Sequence, residues 1–172
     1  MDVLERFATG DLDAFESLFR QYQRDVYGWI LRIVRNPAAA EELTVETFWR
    51  LYRSRARLDP TGNCAGWLRR VATNAAIDHL RRARPVEPLE SDPPDRTRPD
   101  CVEQQELRAA IRGALDALPP KLRVVVRLAL IEDEPYWSIA QALGISESAV
   151  KLRIFRARRI LQKHLQQRGV TP

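Results

Sequence analysis

A proline-rich segment in the middle of the chain constrains the fold more than any other feature. Residues 84–99 read RPVEPLESDPPDRTRP and hold five of the eleven prolines, with few apolar side chains. Proline lacks the backbone donor that helices and sheets need, and so few apolar groups cannot offset the entropy lost on ordering. The sequence therefore predicts a flexible linker at residues 84–101, reaching roughly 3 Å per residue. It would join two small domains, at residues 1–83 and 102–172.

The first domain shows the spacing of amphipathic helices. Apolar residues at three- and four-residue steps place one face of a helix inward: Phe15, Leu18, Phe19, Tyr22, Val26, Trp29 and Ile33. Asp13 and Glu16 fit a capping box at the start of this helix, and Asn36-Pro37 ends it and opens the next. Similar spacing continues over residues 40–52 and 67–80. Because no alternating pattern appears, the domain is predicted to be an all-α bundle.

The second domain begins with a predicted helix over Val102 to Leu118, which Pro119-Pro120 ends. The apolar run over residues 122–131 is rich in β-branched side chains and resembles a buried strand. Nothing nearby would pair with a strand, so we assign the run to a helix. The whole chain is then an all-α protein of two helical domains on a linker.

The segment EPYWSIAQALGISESAVKLRIFRARRILQKHL predicts a helix-turn-helix. Pro135 suits the first turn of a helix, and Gly144 stands where the chain must leave that helix with a positive φ. Ser146 is a good N-cap for the second helix, in which Val150 and Ile154 would pack inward. The second helix is then free to lie in the major groove of DNA.

Positive charge is concentrated in this second helix. From Glu147 to Arg168 there are seven Lys or Arg and one acidic residue, and the whole chain carries a net charge of +5. Contact with DNA phosphates requires such an excess. A basic C-terminal turn is also favoured by the helix dipole alone, and helix-turn-helix shapes occur in proteins that bind no DNA. Spacing and charge together favour DNA binding.

Several other classes of protein find little support. Paired acidic residues fit helix surfaces or the linker, and there is no glycine-rich phosphate loop, HExxH motif or nucleophile elbow, so we expect no enzyme and no cofactor. Cys64 and Cys101 lie outside any CxxC motif and are expected to be reduced thiols without a metal. No segment has the length and hydropathy of a signal peptide or membrane span, so we expect a cytoplasmic protein without membrane insertion.

Three stretches of the chain resemble a known family. AFESLFRQYQRDVYGWILRIVRNPAAAEELTVETFWRLY and GWLRRVATNAAIDHLRR resemble region 2 of the extracytoplasmic-function (ECF) sigma factors, and LPPKLRVVVRLALIEDEPYWSIAQALGISESAVKLRIFRARRIL resembles region 4. The resemblance runs from about Leu12 to Leu165. It implies a subunit that binds core RNA polymerase at the β′ clamp helices and the β flap, recognises promoter DNA and melts it. An anti-sigma factor is implied as a further partner.

The resemblance also implies roles for individual residues. Those expected at the minus-35 element lie on a recognition helix over residues 146–159: Ser146, Glu147, Ser148, Lys151, Arg153, Arg156 and Arg158. Those expected to bind core polymerase lie on the second helix of region 2: Glu41, Glu42, Leu43, Glu46 and Phe48.

Melting of the minus-10 element requires a pocket for an unstacked base and a basic track for the single strand. The loop Asp59 to Gly66 would form the pocket, and the residues expected to contact DNA there are Asn63, Trp67, Arg69, Arg70, Asn74, Asp78, Arg81 and Arg82. Core packing is the alternative role for Trp67. Solvated surface or an internal hydrogen bond is the alternative for the polar residues.

The chain departs from the family at two places. Val45 stands where relatives commonly carry glutamine, and Asn63 to Gly66 lacks the aromatic residue that often precedes the Trp-Leu pair. Contacts with polymerase and preference at the minus-10 element are therefore expected to differ in detail. The alternative functions are a stand-alone helix-turn-helix transcriptional regulator and a pure interaction protein. The first would use its N-terminal bundle for sensing or dimerisation and would not need core polymerase.

Overall fold

The computed structural model describes residues 2–59, 61–83 and 102–169, and every regular element within these ranges is helical. The α-helices are α1 (Val3–Ala8), α2 (Leu12–Val34), α3 (Pro37–Ser54), α4 (Cys64–Arg82), α5 (Val102–Asp116), α6 (Pro120–Val126), α7 (Tyr136–Leu143) and α8 (Glu147–Gln167). The all-α, two-domain prediction is confirmed. The predicted linker 84–101, with Cys101, lies outside the described residues.

Helix boundaries in the N-terminal bundle follow from capping side chains. The Asn36 side chain accepts a hydrogen bond from Ala39 N at 3.1 Å, and Pro37 opens α3, as the sequence predicts. The predicted start of α2 is wrong by two residues. Asp11 is the N-cap, since its Oδ1 accepts from Asp13 N at 2.9 Å, whereas a capping box at Asp13 would lie inside the helix.

The core of the N-terminal bundle lies between α2, α3 and α4. Trp29, Ile33, Phe48, Leu51 and Leu68 are almost completely buried there. Each such side chain stabilises the fold by roughly 1.5–3 kcal/mol relative to an exposed position. The predicted inward face of α2 is thus the face that packs, and it fixes which faces of α3 and α4 remain at the surface.

The C-terminal bundle contains the predicted helix-turn-helix. Gly144 ends α7 with φ at 64°, and the Ser146 hydroxyl accepts from Ala149 N at 3.2 Å to cap α8. Val150 and Ile154 are buried. Pro135 is the N-cap of α7 and not a residue of its first turn.

The β-branched run before the helix-turn-helix is helical, as predicted. After α6 it continues as a π-helical turn over Arg127–Ile131. The β-branched residues of α6 are buried, which explains their apolar character. No helix among the described residues is long and apolar enough to cross a membrane.

The two bundles pack against each other. Helix α7 lies along α4, and α6 with its π-helical turn contacts α4 and α2. Buried side chains of both bundles, among them Leu128, Ile139 and Trp29, belong to one continuous apolar core. The packing places α7 against α4, where Arg69 meets Ser138 and Gly66 lies close to Gln141.

Candidate nucleic-acid and protein interfaces

The outer face of α3 combines acidic and apolar side chains. Glu41 and Glu42 are exposed at its N-terminal half, and Glu46 forms an ion pair with Arg50 at 2.5 Å. Val45 is 65% exposed and lies among these carboxylates. Four residues further along, on the same face, is Trp49, which the sequence interpretation missed. We call Glu41, Glu42, Val45, Glu46 and Trp49 the α3 surface.

Trp49 is the largest apolar group of the α3 surface. It is 57% exposed, and its ring stacks on Tyr52 with the centroids 5.9 Å apart. Exposed tryptophan beside exposed valine is unusual on a surface that binds nothing. The signal available in the sequence was the four-residue spacing from Val45, which places both residues opposite the buried face.

Leu43 and Phe48, which were predicted to bind polymerase, lie in the core. They are 5% and 2% exposed, and the Phe48 ring packs edge-on against Phe19 at 4.7 Å. Their side chains do not reach the α3 surface. They instead hold α3 against α2 and thereby orient the glutamates.

Most of the residues predicted at the minus-10 element share one stripe of α4. They recur at three- and four-residue steps, which places them on one face of a helix: Asn63, Trp67, Arg70, Asn74, Asp78 and Arg81. We call this set the α4 stripe. Arg82 is exposed at the end of the helix, next to it, and Asp78 pairs with Arg81 at 3.5 Å.

A cavity of about 240 Å³ opens at the N-terminal end of the α4 stripe. Its lining residues come from the preceding loop and the first turn of α4: Arg57, Leu58, Asp59, Gly62, Asn63, Cys64 and Trp67. Trp67 is half-buried, so it both packs on the core and forms a wall of the cavity. Core packing and contact with DNA, which the sequence left as alternative roles for Trp67, are therefore compatible in the structure.

Local hydrogen bonds shape this cavity. Asp59 accepts from the backbone N and the hydroxyl of Thr61 at 2.9 and 2.7 Å, and these bonds lower the pKa of the Asp59 carboxyl. Asn63 caps α4 by accepting from Gly66 N at 2.9 Å. Burial raises the pKa of the Cys64 thiol, so the cavity holds a neutral thiol at its base.

Arg69 does not belong to the α4 stripe. Its guanidinium lies 4.4 Å from the centroid of the Trp29 ring and donates to Ser138 Oγ at 2.9 Å. It therefore points towards α2 and α7, roughly opposite to Trp67. The structure separates it from the other residues predicted at the minus-10 element.

Helix α8 presents polar and basic side chains along its length. Its first two residues, Glu147 and Ser148, are exposed, as is Lys151, and Arg156 and Arg158 are exposed further along. Ser146 is exposed but its hydroxyl is engaged in the cap, and Arg153 is half-buried. Several exposed residues of α8 were not predicted, among them Leu152, Phe155, Arg159 and Lys163.

Comparison with known proteins agrees with this arrangement. The family model for Sigma-70 region 2 matches residues 18–86, and that for Sigma-70, region 4, matches residues 108–161. These matches place the α3 surface and the α4 stripe in region 2, and the helix-turn-helix in region 4.

Full-length relatives extend the match. The RNA polymerase sigma factor CarQ of Myxococcus xanthus is 38% identical over 89% of this chain and 90% of its own. The ECF RNA polymerase sigma factor SigK of Mycolicibacterium vanbaalenii is 30% identical over 95% and 87%. The solved sigma factor RpoE of Bartonella quintana, in complex with the anti-sigma factor NepR, has the same fold, with a TM-score of 0.55 and 18% identity over 88% of this chain and 96% of that one. The chain belongs to the ECF subfamily of sigma-70-type RNA polymerase sigma factors.

Proposed function

We propose that this sigma factor divides its work among three surfaces. The α3 surface binds core RNA polymerase, the α4 stripe and its cavity bind the melted minus-10 element, and the exposed side of α8 binds the minus-35 element. The polymerase supplies all nucleotide chemistry. The observation that carries the proposal is the combination, in one chain, of an acidic and apolar surface with two separate basic surfaces.

The α3 surface has the character of a protein interface. Its two apolar side chains stand among three carboxylates, so a partner with a basic rim and an apolar centre would be complementary. Its helix is rigid, since Leu43 and Phe48 anchor it in the core. We assign it to the β′ clamp helices of the core enzyme, and we assign contact with the β flap to the C-terminal bundle.

The α4 stripe suits single-stranded DNA. Trp67 offers a ring on which a base can stack, and the adjoining cavity has the scale of one nucleobase. Arg70, Arg81 and Arg82 lie along the same helix and would neutralise the phosphates of the strand that leaves the cavity. Asn74 is exposed between them and can reach a base edge.

The exposed side of α8 suits duplex DNA. Glu147, Ser148 and Lys151 stand in its first turns, where a recognition helix reads base edges. Arg156 and Arg158 lie one to two turns further along and suit contact with phosphates. Ser146 contributes by fixing the start of the helix through its cap.

Two further assignments follow from the same role. The protein acts in the cytoplasm, where polymerase and chromosome meet, and it has no enzymatic activity of its own. An anti-sigma factor is a further partner, by analogy with the solved RpoE complex. Such a factor would inhibit most directly by covering the α3 surface, and it would then compete with core polymerase for the chain.

Titration of the full-length protein with core RNA polymerase tests the proposal. Wild type should form a stoichiometric complex on size exclusion, and Glu46→Lys should lose it. Glu16→Lys is the matched control, because Glu16 pairs with Arg20 at 2.5 Å just as Glu46 pairs with Arg50. The substitution reverses the charge of one carboxylate in the same kind of ion pair, but on α2. The Glu16→Lys variant should therefore bind core normally.

The outcome separates the two candidate functions. If wild type binds promoter-like duplex DNA but never associates with core, the chain acts as a stand-alone helix-turn-helix regulator. If both charge reversals lose binding equally, net charge drives the interaction and the α3 surface is not the specific site.

A further inference from the structure

A second cavity, of about 300 Å³, lies where α2, the start of α4 and α7 meet. Part of its lining is apolar, since Val26, Trp29 and Leu68 contribute to it and are buried. Aromatic and polar side chains of both bundles complete the lining, among them Tyr22, Asp25, Asn63, Trp137 and Gln141. We call it the interdomain cavity. A concave, partly apolar site with a few polar groups is the usual form of a small-molecule site.

Two side-chain amides from different bundles converge at one wall of the interdomain cavity. Asn63 Nδ2 and Gln141 Nε2 lie 3.1 and 3.2 Å from the position that a Cβ on Gly66 would take. Glycine at this position of α4 therefore leaves the space that both amino groups occupy. The Asn63 oxygen accepts from Gly66 N in the cap of α4, so its amino group remains for a ligand. Two neighbouring donors are complementary to an acceptor placed between them.

Other polar groups of the interdomain cavity also lack partners. Within residues 2–59, 61–83 and 102–169, the side chains of Tyr22, Asp25 and Gln141 form no hydrogen bond or ion pair. Burial first, and then nearby negative charges, that of Asp25 among them, raise the pKa of the half-buried Tyr22 hydroxyl. The hydroxyl therefore stays protonated and can donate. Polar groups in such a site favour a ligand that satisfies them.

The charges of the lining favour a neutral or positive ligand over an anion. Arg69 donates to Ser138 Oγ at 2.9 Å and lies 4.0 Å from Glu134, so its charge is already compensated. Of the charged lining residues, Asp25 is the one whose charge has no partner within the part of the chain that the structure describes. Its carboxylate can accept hydrogen bonds from a ligand but cannot donate any.

The aromatic side chains of the lining favour a flat ring. Trp137 is 60% exposed although it borders an apolar cavity, and Tyr22 is half-buried on the opposite bundle. An exposed indole at such a position offers a face on which a heteroaromatic ring can stack. The ligand should therefore combine a flat ring with acceptors on one edge and donors on another.

We propose that the interdomain cavity binds a small molecule with a guanine ring, which stacks on Trp137 and bridges the two bundles. Guanine carries the acceptors O6 and N7 on one edge, which suit the amino groups of Asn63 and Gln141. Its N1 and N2 donors suit the carboxylate of Asp25. Adenine has an amino donor in place of O6 and no donor on N1, so it would leave these groups unpaired.

Titration of the full-length protein with guanosine tests the proposal, with adenosine as the comparison. Guanosine is uncharged, so the attraction of phosphates to basic surfaces cannot imitate its binding. Calorimetry should give a Kd for guanosine at least about tenfold below that for adenosine. Guanosine should also raise the Tm, because it binds only while the two bundles pack together.

Two variants locate the ligand in the interdomain cavity. Trp137→Ala removes the stacking face and should raise the Kd for guanosine about tenfold. Asp25→Asn removes the carboxylate and should raise it by a similar factor, so it replaces a Trp137→Ala variant that does not fold. Asp13→Asn is the matched control, because Asp13 is exposed on the same helix but does not line the cavity. It should bind guanosine as wild type does.

Three results of these titrations would overturn the inference. They are no binding at about 1 mM guanosine, equal affinity for adenosine, or a loss with Asp13→Asn as large as with Asp25→Asn. A single-stranded A/T-rich oligonucleotide with one guanine tests the other source of the ring. Its affinity should not depend on Trp137. If Trp137→Ala weakens the oligonucleotide as much as guanosine, the cavity takes a base of DNA and not a small molecule.

Discussion

The indole Nε1 of Trp29 donates a hydrogen bond to the hydroxyl oxygen of Thr73 at 2.8 Å, and both side chains are buried where α2 packs on α4. The Thr73 hydroxyl in turn donates to Arg69 O at 2.7 Å. The Trp29 ring also contacts the guanidiniums of Arg32 and Arg69, 4.7 and 4.4 Å from its centroid. One polar contact in the core thus supports the two arginines that meet Glu134 of the C-terminal bundle.

Replacing Thr73 with valine should destabilise the protein by about 1–3 kcal/mol, because it leaves the buried indole N–H without a partner. Thr73→Ser keeps the hydroxyl and should lose only the packing of one methyl group. Urea unfolding followed by circular dichroism measures both. If Thr73→Val were as stable as Thr73→Ser, the hydrogen bond from Trp29 would make no net contribution to the free energy of unfolding.

Two glycines should respond in opposite directions to alanine. Gly144→Ala should destabilise by about 1–2 kcal/mol, since its φ of 64° strains any residue with a Cβ. Gly28 lies inside α2, and nothing lies within 4 Å of a Cβ placed there. Gly28→Ala should therefore stabilise by about 0.5–1 kcal/mol. Thermal unfolding shows whether each variant is more or less stable than wild type. A stabilising Gly144→Ala would contradict the left-handed turn.

The sequence predicted the parts of the fold that local chemistry determines. Asn36 and Ser146 accept hydrogen bonds from backbone N–H groups at helix starts, and Gly144 allows a turn with positive φ. Each of these requirements involves only a few neighbouring residues. The short helix α1 was missed although Asp2 and Glu5 form a capping box at its start. Its six residues show too little periodicity for a prediction.

The parts that depend on distant contacts could not be predicted. Glu134 and Arg69 are far apart in the sequence, and nothing local to either indicates that they meet. Arg69 and Arg70 look equivalent as neighbouring cations, but one residue of helix rotates the side chain by about 100° and sends Arg69 towards α7. The family resemblance placed Leu43 at the polymerase interface together with its neighbouring glutamates, whereas the face of α3 that carries Leu43 packs inward.

Trp49 should be an energetic centre of the interface with polymerase. Truncation to alanine removes its exposed ring, and buried interface tryptophans typically contribute about 2 kcal/mol or more, which is roughly 30-fold in Kd. Folding stability should fall by at most about 1.5 kcal/mol, through loss of stacking on Tyr52. Titration of core polymerase with labelled Trp49→Ala measures the affinity. Leu12→Ala is the control, because Leu12 is 63% exposed on α2 and does not belong to the α3 surface.

The domain contact should open in acid. Burial raises the pKa of Glu134, but hydrogen bonds from Ser138 and Arg32 and the nearby charge of Arg69 outweigh it, so the net pKa lies below the usual 4.5. Glu134 pairs with Arg32 and Arg69 of the N-terminal bundle. Its lowered pKa stabilises this domain contact fully above the pKa that the carboxyl has when the domains are apart. That contribution is lost as the pH falls through the lowered value.

Scattering between pH 7 and pH 3 follows this opening in the full-length protein. The radius of gyration should stay constant to about pH 4.5 and rise below it, while circular dichroism reports whether the helices remain. Glu134→Gln carries no titrating group at this position, so its radius should be larger at pH 7 and change less in acid. A variant that opens with the same pH profile as wild type would place the controlling carboxylate elsewhere in the chain.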